Sequence, residues 1–146
     1  PLISPDMVKK FMIPRYKKIT DFLHSHDIDI IHIDSDGNIN ELIPLWLEVG
    51  INFPWPLEVA AGMNAVALRR EYGKDLILSG NIDKRVFAKG QGAIREEVMS
   101  KVPFLLDTGG YFPGLDHAIP PDISFTDFRY FINLLREIGG MEKLPE

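Results

Sequence analysis

Residues 28–38, Ile28-Asp29-Ile30-Ile31-His32-Ile33-Asp34-Ser35-Asp36-Gly37-Asn38, join a β-branched apolar run to a cluster of turn formers. Isoleucine favours strands and Asp, Ser, Gly and Asn end them, so a strand is expected over 28–33 with a polar turn at its C-terminal end. The stretch before it predicts a long helix. Ser4 caps, Pro5 takes the first helical position, where a missing N–H is harmless, and Val8, Phe11, Met12, Tyr16, Ile19, Phe22 and Leu23 recur at helical spacing. Pro14, inside that pattern, should bend it. Downstream, the pattern predicts a helix over Leu42 to Val49, a strand over 50–53, a helix over Val59 to Tyr72 closed by Gly73, and a strand over 76–78. Helical pattern over Lys84 to Lys89 and Ile94 to Val102 is followed by an expected strand at Phe104-Leu105-Leu106 and a loop from Asp107 to Asp122. Ser124 caps the last helix, Asp127 is the acid of a capping box, and Gly139-Gly140 ends it. Helices alternating with short apolar strands give an α/β class, a parallel sheet covered by helices.

Composition narrows the possibilities. The 146 residues are 45% hydrophobic and 25% charged, with no cysteine and a formal net charge of −5. That balance is of a folded domain; it excludes a disulfide framework and a cysteine-ligated metal or cluster. No apolar run approaches the roughly 20 residues that span a bilayer. With 21 acidic against 16 basic residues, nucleic acid is a poor partner. The basic clusters at Lys9-Lys10, Arg15 to Lys18 and Arg69-Arg70 read as solvated helix faces. The N-terminal residues carry no basic segment and no apolar export core, so a cytoplasmic location is expected.

The polar residues collect at strand ends: Asp34 and Asp36 after the first strand, Glu58 after the second, Asn81 and Asp83 after the third, Asp116 and His117 beyond the fourth. In a parallel sheet these ends share one rim. Turn formation and capping account for an Asp or Asn at any one of them. They call for neither a Glu in a Pro-rich segment nor a His after an Asp. His24 and His26 suit a helix C-terminus and are assigned no role, and His32 reads as an interior residue. His117 lies in a long Gly- and Pro-rich loop, where function concentrates. Trp55, between two prolines, either floors a pocket or packs. Gly90-Gln91-Gly92 matches neither a dinucleotide fingerprint nor a phosphate loop and reads as a turn.

Taken in order, Asp36-Gly37-Asn38-Ile39, Glu58 with Ala61-Gly62-Met63, Tyr72-Gly73-Lys74, Gly80-Asn81-Ile82-Asp83, Gly109-Gly110-Tyr111 and Asp116-His117-Ala118-Ile119-Pro120-Pro121-Asp122 resemble the C-terminal half of the uroporphyrinogen decarboxylase superfamily. The resemblance implies that residues 1–146 are a partial domain, the C-terminal half of a (β/α)8 TIM barrel with about four βα units. It implies a lyase of porphyrin biosynthesis that decarboxylates a tetrapyrrole without a cofactor, His117 contacting the substrate. On this reading His117, Asp34 and Asp36 are the catalytic residues, and Glu58, Asn81, Asp83 and Tyr111 bind substrate. The alternatives are a corrinoid-dependent methyltransferase of the same superfamily and a catalytically silent half-barrel. The methyltransferases hold zinc with a His-x-Cys pair; Asp34-Ser35-Asp36 stands in its place, so zinc is not expected. Two open sheet edges call for the missing N-terminal half or a second copy, and a homo-oligomer is expected.

Overall fold

The computed structural model describes residues 3–145. Ser4 caps the first helix, its hydroxyl accepting from the Met7 N–H at 3.3 Å. The helix is not a single bent rod. Helix α1 (Pro5–Met7) runs into a π-helical turn, Val8–Met12, and then into α2 (Ile13–His24). Pro14 thereby lies at the start of α2, directly after the π-helical turn, a widening that accommodates a residue with no N–H to give the preceding turn.

Four short strands follow, β1 (His32–Asp34), β2 (Phe53–Trp55), β3 (Leu78–Ser79) and β4 (Tyr111–Phe112). Between and after them come α3 (Ile43–Leu47), a 3-10 turn Val59–Ala61, α4 (Ala65–Tyr72), a 3-10 segment Lys84–Lys89, α5 (Gln91–Thr108) and α6 (Phe125–Ile138). Strand β1 pairs with β2 in parallel, His32 opposite Phe53, and β3 with β4, Leu78 opposite Tyr111. A parallel bridge between Ile82 and Leu115 prolongs the second pair. Within β2, Phe53 N–H and Trp55 C=O bond toward β1, so the carbonyl of Asn52 and the backbone of Pro54 face β3. Pro54 has no N–H to donate. Among the described residues the backbone bond joining β2 to β3 is Ile77 N–H to Asn52 O, 2.8 Å, and the sheet divides into two ladders at the proline.

The structure differs from the sequence pattern at several elements: β2 is Phe53–Trp55 rather than 50–53, β3 is Leu78–Ser79 rather than 76–78, Lys84–Lys89 is 3-10 rather than α-helical, and three further elements depart more. The first strand begins at His32 rather than Ile28. Its ladder starts where Ile31 O accepts from Asn52 and Phe53; upstream, among the described residues, there is no neighbouring strand, and Ile28 and Ile30 are exposed. The helix expected over Val59 to Tyr72 is broken at Gly62, whose φ of 86° closes the 3-10 turn, and restarts at Asn64, whose side chain accepts from Ala67 N–H. The strand expected at Phe104-Leu105-Leu106 is the end of α5. Ile94, Val98, Val102 and Leu105 form one fully buried stripe along that helix, and their burial carries it through Pro103. The fourth strand lies instead in the segment read as loop. Ser124 and Asp127 cap α6 as expected, the hydroxyl accepting from Asp127 N–H and donating to its carboxylate at 2.7 Å.

Strand residues alternate between two environments. Ile31, Pro54, Leu78 and Tyr111 are buried with the helices, in a core that includes Ile39, Ile43, Leu57, Ile82 and Phe131. The opposite face carries His32, Asp34, Phe53, Trp55 and Phe112, exposed or half-exposed. There Phe53 stacks on Phe112 at 5.9 Å across the divide, and His32 meets Phe53 edge-on at 5.2 Å. His32 is therefore a surface residue rather than the interior one its strand position suggests, and only one face of this sheet is covered. Arg69 is likewise not on a solvated face. It is 4% exposed, and its guanidinium donates to the carbonyls of Gly73, Leu76 and Gly110, tying α4 to the starts of β3 and β4. Burial without a carboxylate partner lowers its pKa. Among the described residues no helix is long and apolar enough to cross a membrane.

Candidate functional site

The four strand ends do share one rim. His117 follows the Ile82–Leu115 bridge and is half-buried, its ring stacked on Trp55 with centroids 5.4 Å apart and planes 28° apart. The Ala118 N–H donates to Nδ1 at 2.7 Å. That bond uses the Nδ1 lone pair and assigns the proton to Nε2. Nε2 faces Asp36, with Oδ1 3.6 Å away, a charge contact longer than a hydrogen bond. Trp55 and His117, with Pro113, Leu115, Phe128 and Ile132, line a groove of about 360 Å³. The imidazole thus presents an N–H donor at an apolar, aromatic opening, beside an exposed carboxylate.

Asp116, next in the chain, is 1% exposed and accepts from two loops at once: Val59 N–H at 3.0 Å and Lys84 N–H at 3.3 Å. It joins the ends of β2, β3 and β4 and so sets where His117 stands. The Lys84 ammonium lies 3.3 Å from Glu58 and 4.0 Å from Asp116, partly exposed. It is an ammonium held at the rim between two carboxylates. Sequence reasoning placed Asp116 on the rim without a role and passed over Lys84. An Asp directly before the histidine was the available signal for the first, and nothing in the sequence marked the second.

The remaining candidates divide. Asp83 is at the rim but paired with Arg85, 2.8 Å from its carboxylate. Hydrogen bonds from the Arg85 side chain hold its pKa below the ordinary carboxylate value. Asn81 is completely buried at a φ of 63°. Its amide donates to Leu57 O at 2.8 Å and Met63 O at 3.0 Å and accepts from Ala65 N–H at 2.9 Å. Tyr111 is buried on the helix side, its hydroxyl donating to Gly80 O at 2.7 Å, and burial raises its pKa. Asn81 and Tyr111 are not brought to the opening; they lock the loops on which the opening is built.

A family model described as uroporphyrinogen decarboxylase (URO-D) matches residues 1–138. The chain belongs to the URO-D family. No curated protein matches it. For this URO-D chain the match runs from the N-terminal residues to the end of α6, and so includes every rim residue described above. Asp34 and Asp36 offer carboxylate oxygens only, and among the described residues no three His, Asp or Glu side chains converge as metal ligands do.

Proposed function

We propose that this chain supplies one half of the rim site of a (β/α)8 barrel that decarboxylates acetate side chains of a tetrapyrrole without a cofactor. Family membership and the parallel βα units support the barrel, and the uncovered sheet face supports a second half or a second copy seated against it. On this reading the exposed row His32, Phe53, Trp55 and Phe112 lines a barrel interior, and the chain associates rather than standing as a monomer. The observation that carries the function is His117: an imidazole stacked on Trp55, its Nδ1 occupied by a backbone donor and its Nε2–H directed to the opening.

Loss of carbon dioxide leaves an electron pair on the side-chain carbon, delocalised into the pyrrole, and one proton must replace the lost carboxylate. His117 Nε2–H hydrogen-bonds to the substrate where negative charge develops, water supplies the proton that replaces the lost carboxylate, and the Asp36 carboxylate, 3.6 Å away, orients the imidazole. Asp34, exposed at the end of β1, helps orient the substrate. The aromatic groove takes its flat apolar body. Lys84 meets a substrate carboxylate, further cations come from the half outside this chain, and Asn81, Asp83 and Asp116 hold the loops.

The test uses the complete barrel protein with His117→Gln, assayed for carbon dioxide release from uroporphyrinogen. Turnover should fall by about 100-fold or more, the ordinary cost of removing one positioned donor to developing negative charge. Unchanged turnover removes His117 from the chemistry, and methyl transfer from methylcobalamin in place of decarboxylation replaces the reading with the corrinoid one.

A further inference from the structure

Two charged residues of α5, outside the rim chemistry, hold the chain beyond β3. There one backbone edge stays on the β4 side: Ile82 N–H donates to Gly114 O at 3.3 Å, and Ile82 O accepts from Asp116 N–H at 2.9 Å. In a parallel sheet the other edge, Asn81 O and Asp83 N–H, would be met by an N–H and a C=O of the next strand. β2 has ended at Trp55, and Leu57 beyond it bonds to the Asn81 side chain, not to this edge. α5 supplies the partners instead. Lys101 Nζ donates to Asn81 O at 2.7 Å, and Glu97 Oε1 accepts from Asp83 N–H at 3.0 Å. The two side chains, one turn apart on the helix, also pair with each other and are only 14% and 18% exposed.

A largely buried Lys–Glu pair is a weak source of stability, because desolvating two charges costs much of what their attraction returns. Apolar residues at 97 and 101 would join the buried stripe of α5 but leave Asn81 O and Asp83 N–H without partners. The pair is explained by what it grips, the peptide groups on either side of Ile82, and the grip leads to the rim. Lys84 is the next residue. Its N–H donates to Asp116 at 3.3 Å, and its ammonium lies 3.3 Å from Glu58. We propose that Glu97 and Lys101 are positioning residues of the rim and, resting on the decarboxylase reading for the substrate, that they set where the Lys84 ammonium meets its carboxylate. Together they act as one residue of a strand that the sheet lacks, and they fix the turn from Asn81 to Lys84.

The experiment is a double-mutant cycle between Lys101 and Lys84 in the complete barrel protein. Lys101→Met should raise KM for uroporphyrinogen about tenfold, the ordinary worth of one hydrogen bond to a charged group. Its kcat should change less than about threefold, because the ammonium meets the carboxylate in ground and transition state alike. Lys84→Met should itself raise KM about tenfold, and adding Lys101→Met to it should raise KM no further. Lys101→Arg, which keeps charge and donor, should restore most of the loss. The amide resonance of Lys84 should shift in Lys101→Met. Should that variant fail to fold, Glu97→Gln takes its place in the cycle, keeping an acceptor for Asp83 N–H while releasing the charge that holds Lys101. A purely structural role would leave the two effects on KM additive, and that result, or a KM and a Lys84 amide both unmoved by Lys101→Met, overturns the proposal. Absence of carbon dioxide release from the unsubstituted barrel sinks the decarboxylase reading by itself, and the Lys84 amide then decides whether the pair holds the turn.

Discussion

Replacing Asn81 by Ala removes a side chain that satisfies three buried backbone groups in two other segments, Leu57 O, Met63 O and Ala65 N–H. Each buried group left unpaired costs about 1–3 kcal/mol, so the floor for three is about 3 kcal/mol. Asn81 also sits at a φ of 63°, which asparagine tolerates and alanine resists by roughly 1 kcal/mol. The expected loss is therefore about 4 kcal/mol or more, about a quarter or more of the stability of a typical marginal domain. Asn81→Gly separates the two contributions, because glycine accepts the backbone angle but makes none of the bonds; it should be milder than Ala by about 1 kcal/mol. Urea unfolding followed by circular dichroism measures both variants against the unsubstituted chain. A loss below about 1 kcal/mol for Ala would show that the three groups find other partners and that Asn81 is not the knot described.

Three further outcomes follow from the same geometry. Asp116→Ala orphans the N–H groups of Val59 and Lys84 and should cost about 2 kcal/mol or more, while the ¹⁵N spectrum shows His117 and the Trp55 indole shifting together. Gly80→Ala places a Cβ 2.2 Å from Leu115 O at a φ of 71°, so thermal unfolding should occur several degrees lower and the Gly80–Phe112 backbone bond should lose its exchange protection. Arg85→Gln should raise the Asp83 pKa toward its ordinary value. The folded-state pKa is the depressed one, so the pair's stabilisation is present above the unfolded carboxylate value and is lost as pH falls through the folded one. The difference in stability between variant and parent should be seen at neutral pH and vanish in acid, and carboxyl ¹³C titration with unfolding at each pH checks both.

The class and the order of elements were legible in the sequence because they rest on local pattern. Ser4, Ser124 with Asp127, and Gly73 act within a few residues of themselves, and each sits where its chemistry indicated. The fourth strand was not legible, because Pro103 resembles a break while the buried stripe of α5 overrides it. Nor was the start of β1, which depends on where β2 happens to lie. At the rim, residue type and strand end identified the candidates, but not which were already occupied. Asn81 bonds to partners 16 to 24 positions away, and Asp116 to partners 32 and 57 away. Nothing local distinguishes an amide committed to such partners from one that is free. Lys84 was invisible for the same reason: a lysine opening a helical turn gives no sign that two carboxylates flank it.

The proline in β2 has a mechanical consequence. A continuous ladder shares a sideways load among a row of bonds, so none carries it alone. Across the line at Pro54 the backbone offers Ile77 to Asn52, and beyond it the halves are held by side chains: Asn81 reaching back to Leu57 and Met63, and Asp116 reaching to Val59. Ties of this kind are loaded in turn rather than together. Tension applied across the sheet would part β2 from β3 while each strand pair stayed whole, and the first fastenings to be tested would be the polar side chains that also hold the rim in shape.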